Sequence, residues 1–175
     1  MNEPLVSITL FSYNQASYIR AAIDSVINQT YQNLEIIIAD NGSNDGTKEI
    51  IGEYLSDPRI IFLDYPANEK ASILQNKANT LSSGKYIGII YGDDYYLLDK
   101  IQKQVDIFET LDDSYGLVHG PGFIEDVETG NKKISSCAEV SGFCFIELLE
   151  KWSDGFCNPI APLARRQCYI EYPAD

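Results

Sequence analysis

The chain has one histidine, His119, and four cysteines, Cys137, Cys144, Cys157 and Cys168, none of them in a C-x-x-C pair. With these ligands at these spacings a structural zinc site is not expected. No disulfide framework is implied either, and reduced, partly buried thiols are the expectation. Positive charge is scarce: 13 Lys and Arg face 26 Asp and Glu, for a net charge of −13. That argues against nucleic acid as a partner, because phosphate contacts need clustered Lys and Arg, and against unaided docking on an anionic membrane. No apolar run approaches the roughly 20 residues that span a bilayer. The opening Met1-Asn2-Glu3-Pro4 lacks the basic start and apolar core of a secretory leader, so the expected location is cytoplasmic. Neither G-x-x-x-x-G-K-[ST] nor a G-x-G-x-x-G after a strand occurs, which argues against Walker-bound ATP and against NAD. The nearest glycine loop, Gly42-Ser43-Asn44-Asp45-Gly46, has its glycines wrongly spaced for a dinucleotide fingerprint.

What is present is an ordinary globular composition, 175 residues with 45% hydrophobic, enough for one domain with a real core. Strand and helix patterns alternate over residues 1–111. Leu5–Phe11 reads as a first strand, and Ile19, Ala22, Ile23 and Val26 recur at helical spacing over about residues 17–28. Leu34–Ala39 is a second strand closed by Asp40, and a helix carrying Ile50, Ile51 and Tyr54 follows the turn-rich segment 41–46. Ile60–Leu63 is a third strand, Ile73, Leu74, Lys77, Ala78 and Leu81 mark a helix, Tyr86–Tyr91 is a fourth strand, and Ile101, Val105 and Phe108 mark another helix. This rhythm predicts an α/β fold with a mostly parallel central sheet flanked by helices. After residue 112 it breaks into short strands at 116–118 and 123–124, a hairpin turn at 128–131 before a strand at 132–134, and one short helix over 145–152. That half reads as a smaller mixed region packed on the first.

The stretch Tyr86-Ile87-Gly88-Ile89-Ile90-Tyr91-Gly92-Asp93-Asp94 is the most telling. A continuous apolar run reads as a strand buried on both faces, and here it ends in two adjacent carboxylates. Ligands of open α/β sheets gather at the carboxyl ends of strands. A carboxylate pair there suits a hard divalent cation, which in turn suits a diphosphate. A plain polar turn is the competing reading of the same residues. Asp40 ends the second strand in the same way, and Phe11-Ser12-Tyr13-Asn14 ends the first. Three ligand-type loops at one sheet edge define a cleft suited to a nucleotide: an aspartate for a pyrimidine N–H, an aromatic ring for stacking, a metal carboxylate for the diphosphate. The expectation is that Asp40 and Asp93 face one pocket.

Four segments carry a family resemblance. They are Pro4–Ile8 with Tyr13-Asn14 and Tyr18-Ile19; Ser25-Val26-x-x-Gln29-Thr30-Tyr31-x-Asn33-x-Glu35-Ile36-Ile37-Ile38; Asp40-Asn41-Gly42-Ser43-x-Asp45-Gly46-Thr47; and Gly84-Lys85-Tyr86-Ile87 followed by Gly92-Asp93-Asp94. Together they resemble the N-terminal, nucleotide-sugar-binding part of a family 2 glycosyltransferase with the Rossmann-like GT-A fold, over roughly residues 4–100. The resemblance implies that Asp40 reads the nucleobase, typically uracil, and that Phe11 and Tyr13 line its pocket. It implies a nucleotide-binding set of Phe11, Tyr13, Asn14, Asp40, Asn68, Gln75 and Gly92. Asp93 would ligate Mn²⁺ or Mg²⁺, with Asp94 as a weaker, supporting ligand.

Departures from the family pattern are specific. Tyr91 stands in place of the first acid of the D-x-D motif, Asn41 in place of a second aspartate, and Gln75 in place of an arginine near the diphosphate, so the site leans on the cation or on Lys77. The Glu-Asp motif that carries the catalytic base is not found before Asp175. Asp154, Glu171 and Asp175 are the weak remaining candidates, none in a matching motif. The chain therefore reads as a single, C-terminally truncated GT-A domain over 1–175, with 1–111 the nucleotide-binding half and 112–175 the start of the acceptor-side half. Arg165-Arg166 could approach an anionic donor, or be a surface pair.

The expected activity is metal-dependent, inverting transfer of a sugar from a nucleotide-diphosphate donor, a UDP-sugar, to a hydroxyl acceptor such as a glycan or lipid-linked glycan. The resemblance implies polysaccharide assembly in the cytoplasm or at the inner face of the membrane. Two rival readings remain. One is a non-catalytic nucleotide-sugar-binding fragment, made credible by the missing base. The other is a nucleotidyltransferase, which would normally carry a glycine- and lysine- or arginine-rich loop where Phe11-Ser12-Tyr13-Asn14 stands.

Overall fold

The computed structural model describes residues 3–135, 160–171 and 173–174. In chain order the elements are β1 (Val6–Ser12), α1 (Ile19–Ile27), β2 (Leu34–Asp40), α2 (Thr47–Gly52), β3 (Ile60–Asp64), α3 (Ala71–Leu81), β4 (Tyr86–Tyr91), α4 (Lys100–Phe108), β5 (Leu117–Gly120), β6 (Gly122–Glu125), β7 (Lys132–Ser135), β8 (Ile160–Arg165) and α5 (Arg166–Glu171). The alternation expected over residues 1–111 is present throughout. The helix expected over 145–152 lies outside the described residues.

Six strands form one sheet in the order β3-β2-β1-β4-β8-β5. β1 pairs in parallel with β2 and β4, and β2 in parallel with β3, so four strand ends share one edge. The chain winds outward from β1 to β3, then crosses back to place β4 on the other side of β1. That reversal opens a crevice beyond the carboxyl ends of β1 and β4, the usual place for a ligand in such sheets. β8 runs antiparallel to both β4 and β5, so part of the second half extends this sheet, while β6 and β7 form a separate hairpin.

β1 is central because both of its faces are covered. Val6, Ile8 and Leu10 alternate toward the core with Ile19, Ala22, Ile23 and Val26 of α1, all fully buried. That helical stripe is the one the sequence marks. α1 begins at Ile19 rather than at residue 17, because the N–H groups of Tyr18 and Ile19 both donate to the Gln15 carbonyl and form a turn first. On α3 only part of the marked set is buried. Leu74, Ala78 and Asn79 are buried, whereas Ile73 and Leu81 are exposed, since the face turned to β1 and β2 is the 74/78 stripe.

Arg165 does not approach the strand tips. β8 is antiparallel, so Arg165 pairs with Tyr86 at the start of β4, on the opposite edge. There its guanidinium donates to the carbonyls of Tyr115 (2.8 Å) and Asp112 (2.9 Å), and Arg166 Nε donates to the Ser82 carbonyl at 2.7 Å.

Candidate functional site

The site is built on three parallel strand ends. Register places Ser12 beside Asp40 on one side and Phe11 beside Tyr91 on the other. Adjacent strands lie about 4.8 Å apart, so the β2 and β4 tips are separated by roughly 10 Å across β1.

At the β2 tip Asp40 is fully buried. Its carboxylate accepts from Ser12 Oγ at 3.0 Å, from the Ser43 N–H at 2.8 Å and from Ser43 Oγ. Lys48 Nζ stands 3.8 Å away and is itself bound to Asp64 at 2.5 Å. The following loop continues this bracing. Asn14 sits at φ 51°, donates its N–H to Ser43 Oγ at 2.8 Å, and accepts from the Asn44 N–H through Oδ1 at 2.9 Å. Gln15 N–H donates to Thr47 Oγ1 and Ala16 N–H to Asp45. Thr47 and Ala16 in turn hold the Asp45 carboxyl below its ordinary value, the Thr47 hydroxyl having the larger effect. Gly42, at φ +79°, is needed where it is: a Cβ there would lie 2.6 Å from the Ala67 carbonyl carbon. That close approach brings up the segment before α3, where Asn41 accepts from the Glu69 N–H at 2.8 Å and donates to its carbonyl at 3.0 Å.

Between the β1 and β4 tips and the first turns of α3 lies a cavity of about 190 Å³, lined by Phe11, Ser12, Tyr13, Gln15, Asn41, Ala71, Leu74, Gln75 and Tyr91. No charged side chain among the described residues lines it. Phe11 and Tyr91 meet as a tilted aromatic pair, centroids 6.2 Å apart at 43°. Tyr13 is 45% exposed, its ring open to a ligand.

The β4 tip is different in kind. Gly92 N–H donates to the Phe11 carbonyl at 2.8 Å and Asp94 N–H to the Tyr91 carbonyl at 3.0 Å, closing a turn that presents Asp93 and Asp94 to solvent. Lost hydration, and after it the adjacent Asp93 charge, raises the Asp94 carboxyl above its ordinary value. Among the described residues no three His, Cys, Asp or Glu side chains stand close enough to cage a metal. Two adjacent carboxylates fit a hard divalent cation that completes its shell from a ligand's phosphate oxygens and water, as Mg²⁺ commonly does. They do not fit a cation held by protein alone.

Of the residues expected from sequence, Phe11, Tyr13 and Gln75 line the cavity together. Asp40 does not. Its carboxylate faces inward and its neighbour Asn41 takes the wall, because the strand end turns the acid onto the Ser12 and Ser43 donors. Asn14 braces two loops, Asn68 sits beside Asn41 at 3.4 Å, and Gly92 lies in the turn; none of these three lines the cavity. Asp93 and Asp94 stand one turn beyond Tyr91, outside the lining set. Glu171 is exposed at the end of α5, also outside it, and Asp154 and Asp175 fall outside the described residues. Sequence reasoning missed Gln15, Asn41, Ala71, Leu74 and Tyr91 as wall residues. For Tyr91 a usable signal existed: it alternates with Ile87 and Ile89 and so shares the face of Phe11, its partner in register.

The family model "Glycosyl transferase family 2" matches residues 7–169. An uncharacterized glycosyltransferase of Haemophilus influenzae is 33% identical over 135 residues, 77% of this chain and 53% of the relative. The Escherichia coli enzyme UDP-Glc:alpha-D-GlcNAc-diphosphoundecaprenol beta-1,3-glucosyltransferase WfaP is 39% identical over 106 residues, 61% of this chain and 42% of the relative. The chain thus spans about half the length of the curated relatives it matches. Among solved structures, Staphylococcus aureus TarS 1-349 in complex with UDP-GlcNAc superposes with a TM-score of 0.70 at 15% identity, over 95% of this chain and 46% of that one. The mannosyltransferase PcManGT from Pyrobaculum calidifontis, in complex with GDP-Man and Mn²⁺, gives 0.61 at 20% identity, over 73% and 37%. At these identities the two likenesses show the shared fold.

Proposed function

The chain belongs to glycosyl transferase family 2, and from that premise we propose that it is the nucleotide-binding part of an inverting glycosyltransferase that moves a sugar from a UDP-sugar to a hydroxyl acceptor. One observation carries the reading: a cavity at the reversal of strand order that no described charged side chain lines, with Asp93 and Asp94, exposed and without a partner among the described residues, two and three residues beyond its wall residue Tyr91. A nucleoside diphosphate has the matching division, an uncharged nucleoside and a charged diphosphate. The nucleoside enters between Phe11, Tyr13, Asn41, Gln75 and Tyr91, and the diphosphate remains outside at Asp93 and Asp94. A protein with a net charge of −13 needs a counter-charge to keep that diphosphate.

A divalent cation, Mn²⁺ or Mg²⁺, held by Asp93 with support from Asp94, would supply Lewis-acid stabilisation of the departing diphosphate. PcManGT, of the same fold, is solved with Mn²⁺ and GDP-Man. In the transfer the acceptor oxygen bonds to the anomeric carbon as the bond to the UDP oxygen breaks, with inversion, and the acceptor proton passes to a carboxylate base. Asp154, Glu171 and Asp175 are the candidates for that base. Residues 1–111 would form the donor half and 112–175 the start of the acceptor half. WfaP acts on a lipid-diphosphate-linked sugar, which supports a glycan or lipid-linked acceptor here and a site of action in the cytoplasm or at the inner membrane face.

Calorimetric titration of UDP with Mn²⁺ into wild type and Asp93→Ala tests the reading. The variant should lose the Mn²⁺-dependent part of the affinity and keep the rest; equal affinity in both proteins would refute the assignment. No acid lines the cavity among the described residues, which keeps a second reading, a nucleotide-sugar-binding module without turnover. Slow release of free sugar from the donor favours the enzyme, and binding without release favours the module.

A further inference from the structure

Two side-chain atoms among the described residues are buried without a hydrogen-bond partner, and one of them, Gln15 Oε1, belongs to the cavity wall. Gln15 is not loosely held. Its N–H is fixed on Thr47 Oγ1 at 2.8 Å, and its carbonyl accepts from the Tyr18 and Ile19 N–H groups, both at 2.9 Å. From that anchor the side chain reaches the β4 tip and lays its amide against Gly92. A Cβ added at Gly92 would collide with Gln15 Oε1, lie 3.3 Å from Gln15 Cδ and lie 3.0 Å from Ile19 Cδ1. The glycine is therefore the seat of the amide, and any other residue there would displace it.

The seat also sets which end of the amide faces in. A glycine Cα–H is a weak donor, so an oxygen against it is tolerated, whereas an NH₂ group would point its donors at carbon. The structure sets Oε1 against Gly92, and Nε2 makes no hydrogen bond to another described residue and is not among the buried unpartnered atoms. A donor without a partner among the described residues thus belongs to a wall residue of a cavity that no described charged side chain lines.

We propose that Gln15 is a specificity-determining residue of this cavity. Its Nε2 donates a hydrogen bond to an uncharged oxygen acceptor of the nucleoside, on the base or on the ribose, and Gly92 holds the amide in that sense. The inference rests on the nucleotide-sugar reading above. A site built to pair such a group discriminates strongly, because a ligand without it leaves the donor unpaired. Gly92 also precedes Asp93, so one turn carries both the amide seat and the proposed cation carboxylate.

Equilibrium dialysis with labelled UDP, and with uridine as competitor, tests this on wild type, Gln15→Met, Gln15→Glu and Gly92→Ala. Gln15→Met keeps the length and removes the donor, and should weaken UDP and uridine by the same factor, about tenfold, or about 1.4 kcal/mol. Gln15→Glu sets a carboxylate against the acceptor and should weaken both further. Gly92→Ala, with Gln15 intact, should repeat the Gln15→Met loss. Wild-type affinity in Gln15→Met would overturn the proposal, as would a loss for UDP with none for uridine, which would mark a phosphate contact. Wild-type affinity in Gly92→Ala would overturn the role of the seat. If UDP fails to bind the wild-type protein, the donor reading falls and this inference with it.

Discussion

The tips of β2 and β4 flank β1 at one edge of the sheet, and both carry aspartate, Asp40 closing β2 and Asp93 and Asp94 in the turn after β4, yet they use it in opposite ways. Asp40 is fully buried, accepts from Ser12 and Ser43, and sits 3.8 Å from Lys48. Asp93 and Asp94 are exposed, in a turn held by two backbone hydrogen bonds. The first acid organises a loop, and the second pair is left for something outside the protein. An acid closing a strand at the ligand edge is therefore no sign by itself of ligand contact: the local supply of donors decides. Serines at positions 12 and 43 satisfy Asp40 internally, whereas Tyr91, Gly92 and Tyr95 give Asp93 and Asp94 no comparable donors.

Removing each acid separates the two roles, and the largest effect is expected at the buried one. Asp40→Ala leaves Ser12 Oγ, Ser43 Oγ and the Ser43 N–H without their acceptor in a buried position. Each buried group left unpaired costs about 1–3 kcal/mol, so a total near 3–4 kcal/mol is expected after partial relaxation. Urea unfolding measures it, and a loss below about 1 kcal/mol would remove the structural role assigned to Asp40. Asp93→Ala should change the unfolding free energy by no more than about 0.5 kcal/mol, as for exposed positions generally, while removing the cation-dependent affinity for UDP. A large destabilisation in that variant would mean that the β4 tip, too, is scaffold.

The same contrast marks how far the sequence could be read. Strand and helix identity over residues 1–111 followed from periodicity, because a strand buried on both faces and an amphipathic helix leave distinct patterns. The edge holding the site followed from parallel order. The wall itself was only partly legible. Phe11 lies at the end of β1 and Tyr13 just past it, so position alone suggested them. Gln15 could not be found this way, since its place depends on a glycine 77 residues later that leaves room for its amide. The inward hydrogen bonding of the Asp40 carboxylate was not legible, because a motif fixes residue order and not the direction in which a side chain turns. The marks on α3 did not single out its buried stripe for a related reason: Ile73 is as apolar as Leu74, and only packing against β1 and β2 selects between them.

The smallest expected effect is also the most direct measure of the contrast, because the two tips should titrate in opposite directions. The Thr47 hydroxyl, and after it the Ala16 N–H, hold the Asp45 carboxyl of the β2 loop below the ordinary aspartate value of about 3.9. A carboxyl depressed in the folded state stabilises the fold above its unfolded pKa, and that contribution fades as pH falls through the lower, folded value. Asp94 is raised instead, by lost hydration and the Asp93 charge, so its charged form burdens the fold at neutral pH and the burden lifts as pH falls through the raised value. In carboxyl NMR titrations of the metal-free protein, Asp45 should have its midpoint below about 3.9 and Asp94 above it. Amide exchange at Ala16 and Thr47, whose N–H groups donate to Asp45, should quicken only at the acid end, and Asp45→Asn should make that exchange insensitive to acid. Midpoints in the reverse order would show that the β2 loop carries the strained charge and the β4 turn the satisfied one, inverting the division of labour on which the donor site rests.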